Sequence, residues 1–153
     1  MATVYSAQRT NTRATPAVMN KANEMGGRVR VAHGTYEASS LASGDVIEMF
    51  TLPDGARLLT GTLAHDALAA STTLSVGHAA YKNADGTDVA AAAAAYKAAA
   101  SSASAGKSDI LATLALGSGT ELDANEDGVT VTVTMGGAAG TGTIELTIMY
   151  VVD

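Results

Sequence analysis

Four stretches of the chain carry residue types and spacings from which chemistry could be built. Ser101-Ser102-Ala103-Ser104-Ala105-Gly106-Lys107-Ser108 ends like a phosphate-binding loop, in which backbone amides and a lysine cradle phosphate oxygens. That pattern needs Gly five positions before the Gly-Lys-Ser run, and Ser101 stands there. The context is also reversed: an Ala-rich segment precedes the run and a strand-like one follows, so nucleotide chemistry is not expected. Asp123-Ala124-Asn125-Glu126-Asp127-Gly128 opens like a calcium loop, because oxygen ligands at alternate positions suit a hard cation and Gly permits the bend. Its twelfth position is Thr134 rather than Glu, and no helix flanks it. Asp123, Asn125 and Asp127 therefore read as an acidic turn leading into a strand, with calcium as the alternative. No metal site is assigned.

His33, His65 and His78 are dispersed and lack the spacing of a metal-binding pair. His65-Asp66 is half of a Ser-His-Asp constellation, yet no G-x-S-x-G elbow supplies a nucleophile. Glu48 with Asp45 or Asp54 could act as paired carboxylates, but all three fall in strand or turn with no sign of a cleft. The absence of cysteine excludes disulfides, thiol nucleophiles and cysteine-ligated metals. Neither a catalytic site nor a cofactor is expected, and the protein reads as a non-enzyme.

The elements that would position these residues are mostly strands. A length of 153 residues suits one domain, here with an arm. Hydrophobic types make up 47%, but 32 residues are Ala, one is Phe and none is Trp, so large core side chains are scarce. Residues 1–27 lack helical or strand periodicity and read as an extended arm, with Pro16 disfavouring helix through Thr15. Residues 28–153 form the body. Strands are expected at Arg28–His33, Asp45–Leu52, Arg57–Leu63, Ser71–Val76, Asp109–Leu116, Gly128–Met135 and Thr143–Val152. The Val-Thr alternation of Gly128–Met135 is the clearest of them. Between them lies Val89–Ala100, twelve residues of which nine are Ala. Its propensity predicts an inserted helix over 88–100, capped by Thr87 or Asp88 and presenting an Ala face. The expected fold is therefore mainly β: an antiparallel sandwich, jelly-roll-like, with one Ala-rich helix inserted and an extended N-terminal arm. No apolar run is long enough to span a bilayer, and no secretory leader is evident.

Charge divides the chain more sharply than the net −6 conveys. Residues 1–30 hold Arg9, Arg13, Lys21, Arg28 and Arg30 against Glu24, a balance of +4, and the remainder holds 4 basic and 14 acidic groups, a balance of −10. A basic arm on an acidic body predicts that these five cations bind a protein partner. Nucleic acid is not expected, since the charges are sparse, Tyr5 is the one aromatic nearby, and the acidic body opposes DNA.

The segment order resembles that of small virion proteins of tailed bacteriophages, the capsid decoration or cement proteins. The resemblance rests on Leu41-Ala42-Ser43-Gly44-Asp45-Val46-Ile47-Glu48-Met49, Leu52-Pro53-Asp54-Gly55-Ala56-Arg57-Leu58-Leu59, Ser71–Gly77 and Gly142–Asp153. It spans residues 40–153 and leaves the arm without a counterpart. It implies a non-enzymatic, symmetric protein made in the host cytoplasm, which binds the major capsid protein on the outer surface of a head. Copies of the chain are the second expected partner, as a homotrimer formed by symmetric closure. The competing expectation is a receptor- or glycan-binding module of a head or tail fibre.

Overall fold

The computed structural model describes residues 3–152. Two four-stranded antiparallel sheets stack face to face. Sheet I consists of β1 (Val29–Leu41), β3 (Arg57–His65), β8 (Gly106–Ile110) and β10 (Gly140–Val151), in the order β1-β10-β3-β8. Sheet II consists of β2 (Val46–Leu52), β4 (Thr72–His78), β7 (Ala92–Ser101) and β9 (Val129–Gly137), in the order β2-β9-β4-β7. A two-residue hairpin, β5 (Tyr81–Lys82) with β6 (Asp88–Val89), stands between β4 and β7. The chain crosses between sheets at most connections, and its first and last strands pair along Val29–Ala38. The expected antiparallel sandwich is what forms.

Period-two patterning explains the core. In β9, Val129, Val131, Val133 and Met135 point inward and are buried. They meet Ile144, Leu146 and Ile148 of β10, Leu58 and Leu63 of β3, and Leu74 and Val76 of β4, all buried. Burying each such side chain is worth about 1.5–3 kcal/mol, which lets a chain poor in aromatics still hold two sheets together.

The Ala-rich segment is the main correction. Residues 88–100 form no helix: Asp88–Val89 is β6 and Ala92–Ser101 is β7, the edge strand beside β4. Pairing runs Thr73 with Ser101, Leu74 with Ala100, Val76 with Lys97 and His78 with Ala92, with two register shifts that absorb extra residues. Tyr96 is buried in the core cluster, while Ala93, Ala94, Ala98 and Ala99 remain exposed. The strand satisfies backbone groups of β4 that a helix would leave open, and it gives Tyr96 a place in the core. Gly77 allows the approach, because a Cβ there would lie 1.8 Å from the Ala92 carbonyl oxygen. Asp109–Leu116 is also revised: β8 starts earlier and ends at Ile110, and Leu114–Leu116 is a 3-10 turn capped by Thr113.

The arm is not extended throughout. Helix α1 (Ala7–Arg13) forms after Ser6, whose Oγ accepts from the Arg9 amide as an N-cap, and it stops before Pro16.

Candidate interaction surface

The arm folds back on itself and then onto the body. Asn20 ties the return segment to α1: its Oδ1 accepts from Asn11 Nδ2 at 3.0 Å, and its Nδ2 donates to the Gln8 carbonyl at 3.2 Å. The Val18 amide donates to the Asn11 carbonyl at 3.1 Å. The result is a compact hook over residues 3–25. Its base is fastened to the body by a chain of charges. Lys21 Nζ lies 2.8 Å from Glu121 Oε1, and Arg57 Nη2 lies 2.8 Å from Glu121 Oε2 and 3.5 Å from Glu24 Oε1. Arg57 Nη1 also donates to the Gly119 carbonyl at 2.7 Å, and Asn23, nearly buried, donates to the Gly55 carbonyl at 3.2 Å. The Lys21 ammonium, donating to Glu121, holds that carboxyl below its ordinary value and is itself raised. Behind the latch, Gly27 packs so closely on Val151 and the Ala22 carbonyl that a Cβ would clash with both.

The five expected partner-binding cations are distributed over α1, the base of the hook and the start of β1. Lys21 is engaged within the chain. Arg9 and Arg13 lie one turn apart on α1, with the Arg13 guanidinium 4.8 Å over the Tyr5 ring. Arg28 and Arg30 are exposed at the start of β1. Among the described residues Arg9, Arg13, Arg28 and Arg30 enter no ion pair. The hook also exposes apolar side chains: Val4 is 89% and Met19 93% exposed, with Val18 and Met25 more than half exposed. The helix buries none of its residues. Sequence reasoning missed Arg57 and Glu121, the body's half of the latch, which lie 36 and 100 positions from Lys21. No local pattern marks them.

The residues with possible chemistry are used structurally. His65 Nδ1 meets the Asp66 backbone carbonyl at 2.9 Å, not its carboxylate, so no relay pair forms. His33 bonds Thr147 and Thr35, and His78 bonds the Ala79 carbonyl. Asp45 accepts from the Ala42 amide and Asp54 from the Ala124 amide, while Glu48 pairs across from Thr132 on the outside of sheet II. In the Asp123–Gly128 turn, Asn125 donates to Asp127 at 2.8 Å and Asp123 accepts from the Ala84 amide. These oxygens serve the turn rather than converge on one point. Gly106, Lys107 and Ser108 lie in β8, with no helix after them to complete a phosphate loop.

A second surface is the outward face of sheet I. Asp66 accepts from the Thr143 amide at 3.1 Å, which holds its carboxyl below the usual range, and Thr143 Oγ1 donates to Glu37 at 2.9 Å. Asp66, Glu145, His65 and Thr143 line a cleft of about 310 Å³ at the edge of this face.

No family model matches the chain, and no curated protein matches it. Solved structures do. A chain of the cyanophage Pam1 capsid asymmetric unit superposes with a TM-score of 0.64 at 23% identity, covering 100% of both chains. A chain of the capsid of Ralstonia phage GP4 gives a TM-score of 0.62 at 26% identity, over 83% of this chain and 86% of that one. A chain of the acidic stable capsid structure of Helicobacter pylori bacteriophage KHP30 gives 0.52 at 16%, over 81% and 87%. The first and third establish a shared fold.

Proposed function

We propose that the chain is a structural protein of a phage virion and, more finely, that it decorates the head, binding the major capsid protein and stabilising the shell. The observation that carries this reading is the 26% identity with a chain of the Ralstonia phage GP4 capsid, sustained over most of both chains. The hook supports the finer part. It is folded and fastened at its base, yet it holds out cations and apolar side chains for which the described residues of its own body provide no partner. Arg9, Arg13, Arg28 and Arg30 are the groups proposed to grip acidic surface, since a guanidinium fork binds carboxylates in bidentate fashion.

The test uses heads assembled without this protein. The purified chain is added, and the heads are recovered by sedimentation and then heated. Saturable binding that raises the temperature of head disruption supports decoration. A chain lacking residues 2–25 is expected to stay folded and to bind more weakly, with salt reproducing part of the loss. Failure of the full chain to bind, with binding to host cells or glycans instead, would overturn decoration in favour of a receptor-binding module. Equal binding by the truncated chain would remove the hook from the account.

A further inference from the structure

The outward face of sheet I is built in two halves. Registers place Val31 of β1 opposite Met149 of β10, and these form an apolar half, 58% and 41% exposed. Toward the other end of β10, Glu37, Glu145 and Asp66 form a net acidic half beside the cleft, with Lys107 of β8 opposite Ala64 on the same face. Two of its carboxylates are held in place before any partner arrives: Thr143 bonds both Glu37 and Asp66, and beside them Thr147 bonds His33 at 2.9 Å. Little rotamer entropy is then lost on docking.

The hook carries the complementary pair of features, apolar Val4 and Met19 with basic Arg9 and Arg13. It is fastened near Val151, at the opposite end of β10 from Thr143. Eight residues of strand separate the two ends, about 27 Å at roughly 3.4 Å per residue. A fastened hook therefore does not reach its own acidic half, whereas the hook of another copy can. We propose that the hook of one copy docks on the outward face of sheet I of a second copy, with Arg9 and Arg13 against Asp66 and Glu145 and the apolar side chains toward Val31 and Met149. The contact is heterologous, hook to face, so it propagates around a closed ring or along a row of copies according to the rotation between them. This contact rests on the proposed decoration role for its biological setting and deepens it: the acidic surface gripped by Arg9 and Arg13 is that of a neighbouring copy, which leaves Arg28 and Arg30 for the capsid.

Because the chain has no cysteine, disulfide trapping reads the contact directly. Thr12→Cys places a thiol beside Arg13 on α1, and Ala64→Cys places one in the cleft, with every charge retained. Thr87→Cys, exposed on the turn between β5 and β6, is the control. The free proteins are mixed at high micromolar concentration in low salt and oxidised. A Thr12–Ala64 heterodimer at least about fivefold above the Thr12–Thr87 yield is expected, falling when Arg9→Glu and Arg13→Glu are added to the hook chain. Equal yields with the two partners, or a yield unmoved by charge reversal, would overturn the proposal. No head enters this assay. A chain that decorates heads but fails to trap keeps its function and loses this contact, and the converse result does the opposite.

Discussion

Replacing Glu121 by Gln tests whether the hook is held by charge. The side chain keeps its size, so packing is unchanged and only the carboxylate is lost. Two ion pairs cross from hook to body, Lys21 with Glu121 at 2.8 Å and Glu24 with Arg57 at 3.5 Å, while Arg57 with Glu121 at 2.8 Å lies within the body and orients the carboxylate. The Gln variant removes the Lys21 pair, and an exposed pair of this kind contributes weakly. Opening of the hook should therefore rise by no more than about fivefold, the ceiling for an exposed ion pair. The assay is amide hydrogen exchange over residues 18–27, where Glu24 and Met25 amides bond the Lys21 carbonyl in the closed form. Exchange in the sheets should not change. The pH dependence has a defined sign. The Glu121 carboxyl is depressed when the hook is closed, so its contribution is present above the ordinary carboxylate value, about 4.3, and is lost as pH falls through the depressed value. Acid should open the normal hook and leave the Gln variant little changed by comparison. Unaltered exchange in Glu121→Gln at neutral pH would show that hydrogen bonds such as Asn23 to Gly55, not charge, hold the hook.

Other outcomes follow from the same packing. Gly77→Ala forces a Cβ onto the Ala92 carbonyl and should destabilise the protein by about 1–3 kcal/mol, as overpacking does; a fall of several degrees in melting temperature checks it. Leu146→Ala opens a cavity in the central strand of sheet I and should cost about 2–5 kcal/mol in urea unfolding, with the slope unchanged. Carbon chemical shifts of Ala92–Ala100 should be strand-like, and helical shifts there would refute the placement of β7. Gly137→Ala should be at least as damaging as Gly77→Ala, because its φ is +79° and its Cβ would lie 1.9 Å from the Ser71 carbonyl oxygen.

The strands at the centre of the sandwich were legible because burial on one face leaves a mark on every second residue. Val129 to Met135 alternates apolar and polar residues, and Ile144, Leu146 and Ile148 do the same, so their faces and the mainly β class follow from side-chain chemistry alone. The charge division between residues 1–30 and the body was equally plain. The Ala-rich segment was misread because intrinsic propensity describes an isolated chain, in which Ala favours helix over every other residue. Inside the fold, the free edge of β4 needs backbone partners and the core has room for Tyr96, and these gains outweigh a preference worth fractions of a kcal/mol per residue. A strand in which seven of ten residues are Ala leaves no alternation of its own to announce it. The hook was hidden for a different reason: Lys21 acquires its meaning from Glu121 and Arg57, which the winding of the chain brings to it. Composition and periodicity thus determined the class of fold, the core positions and the location of the cations. The tertiary structure alone decided which edge the alanines complete and which cation is engaged, because both depend on contacts between residues far apart in the chain.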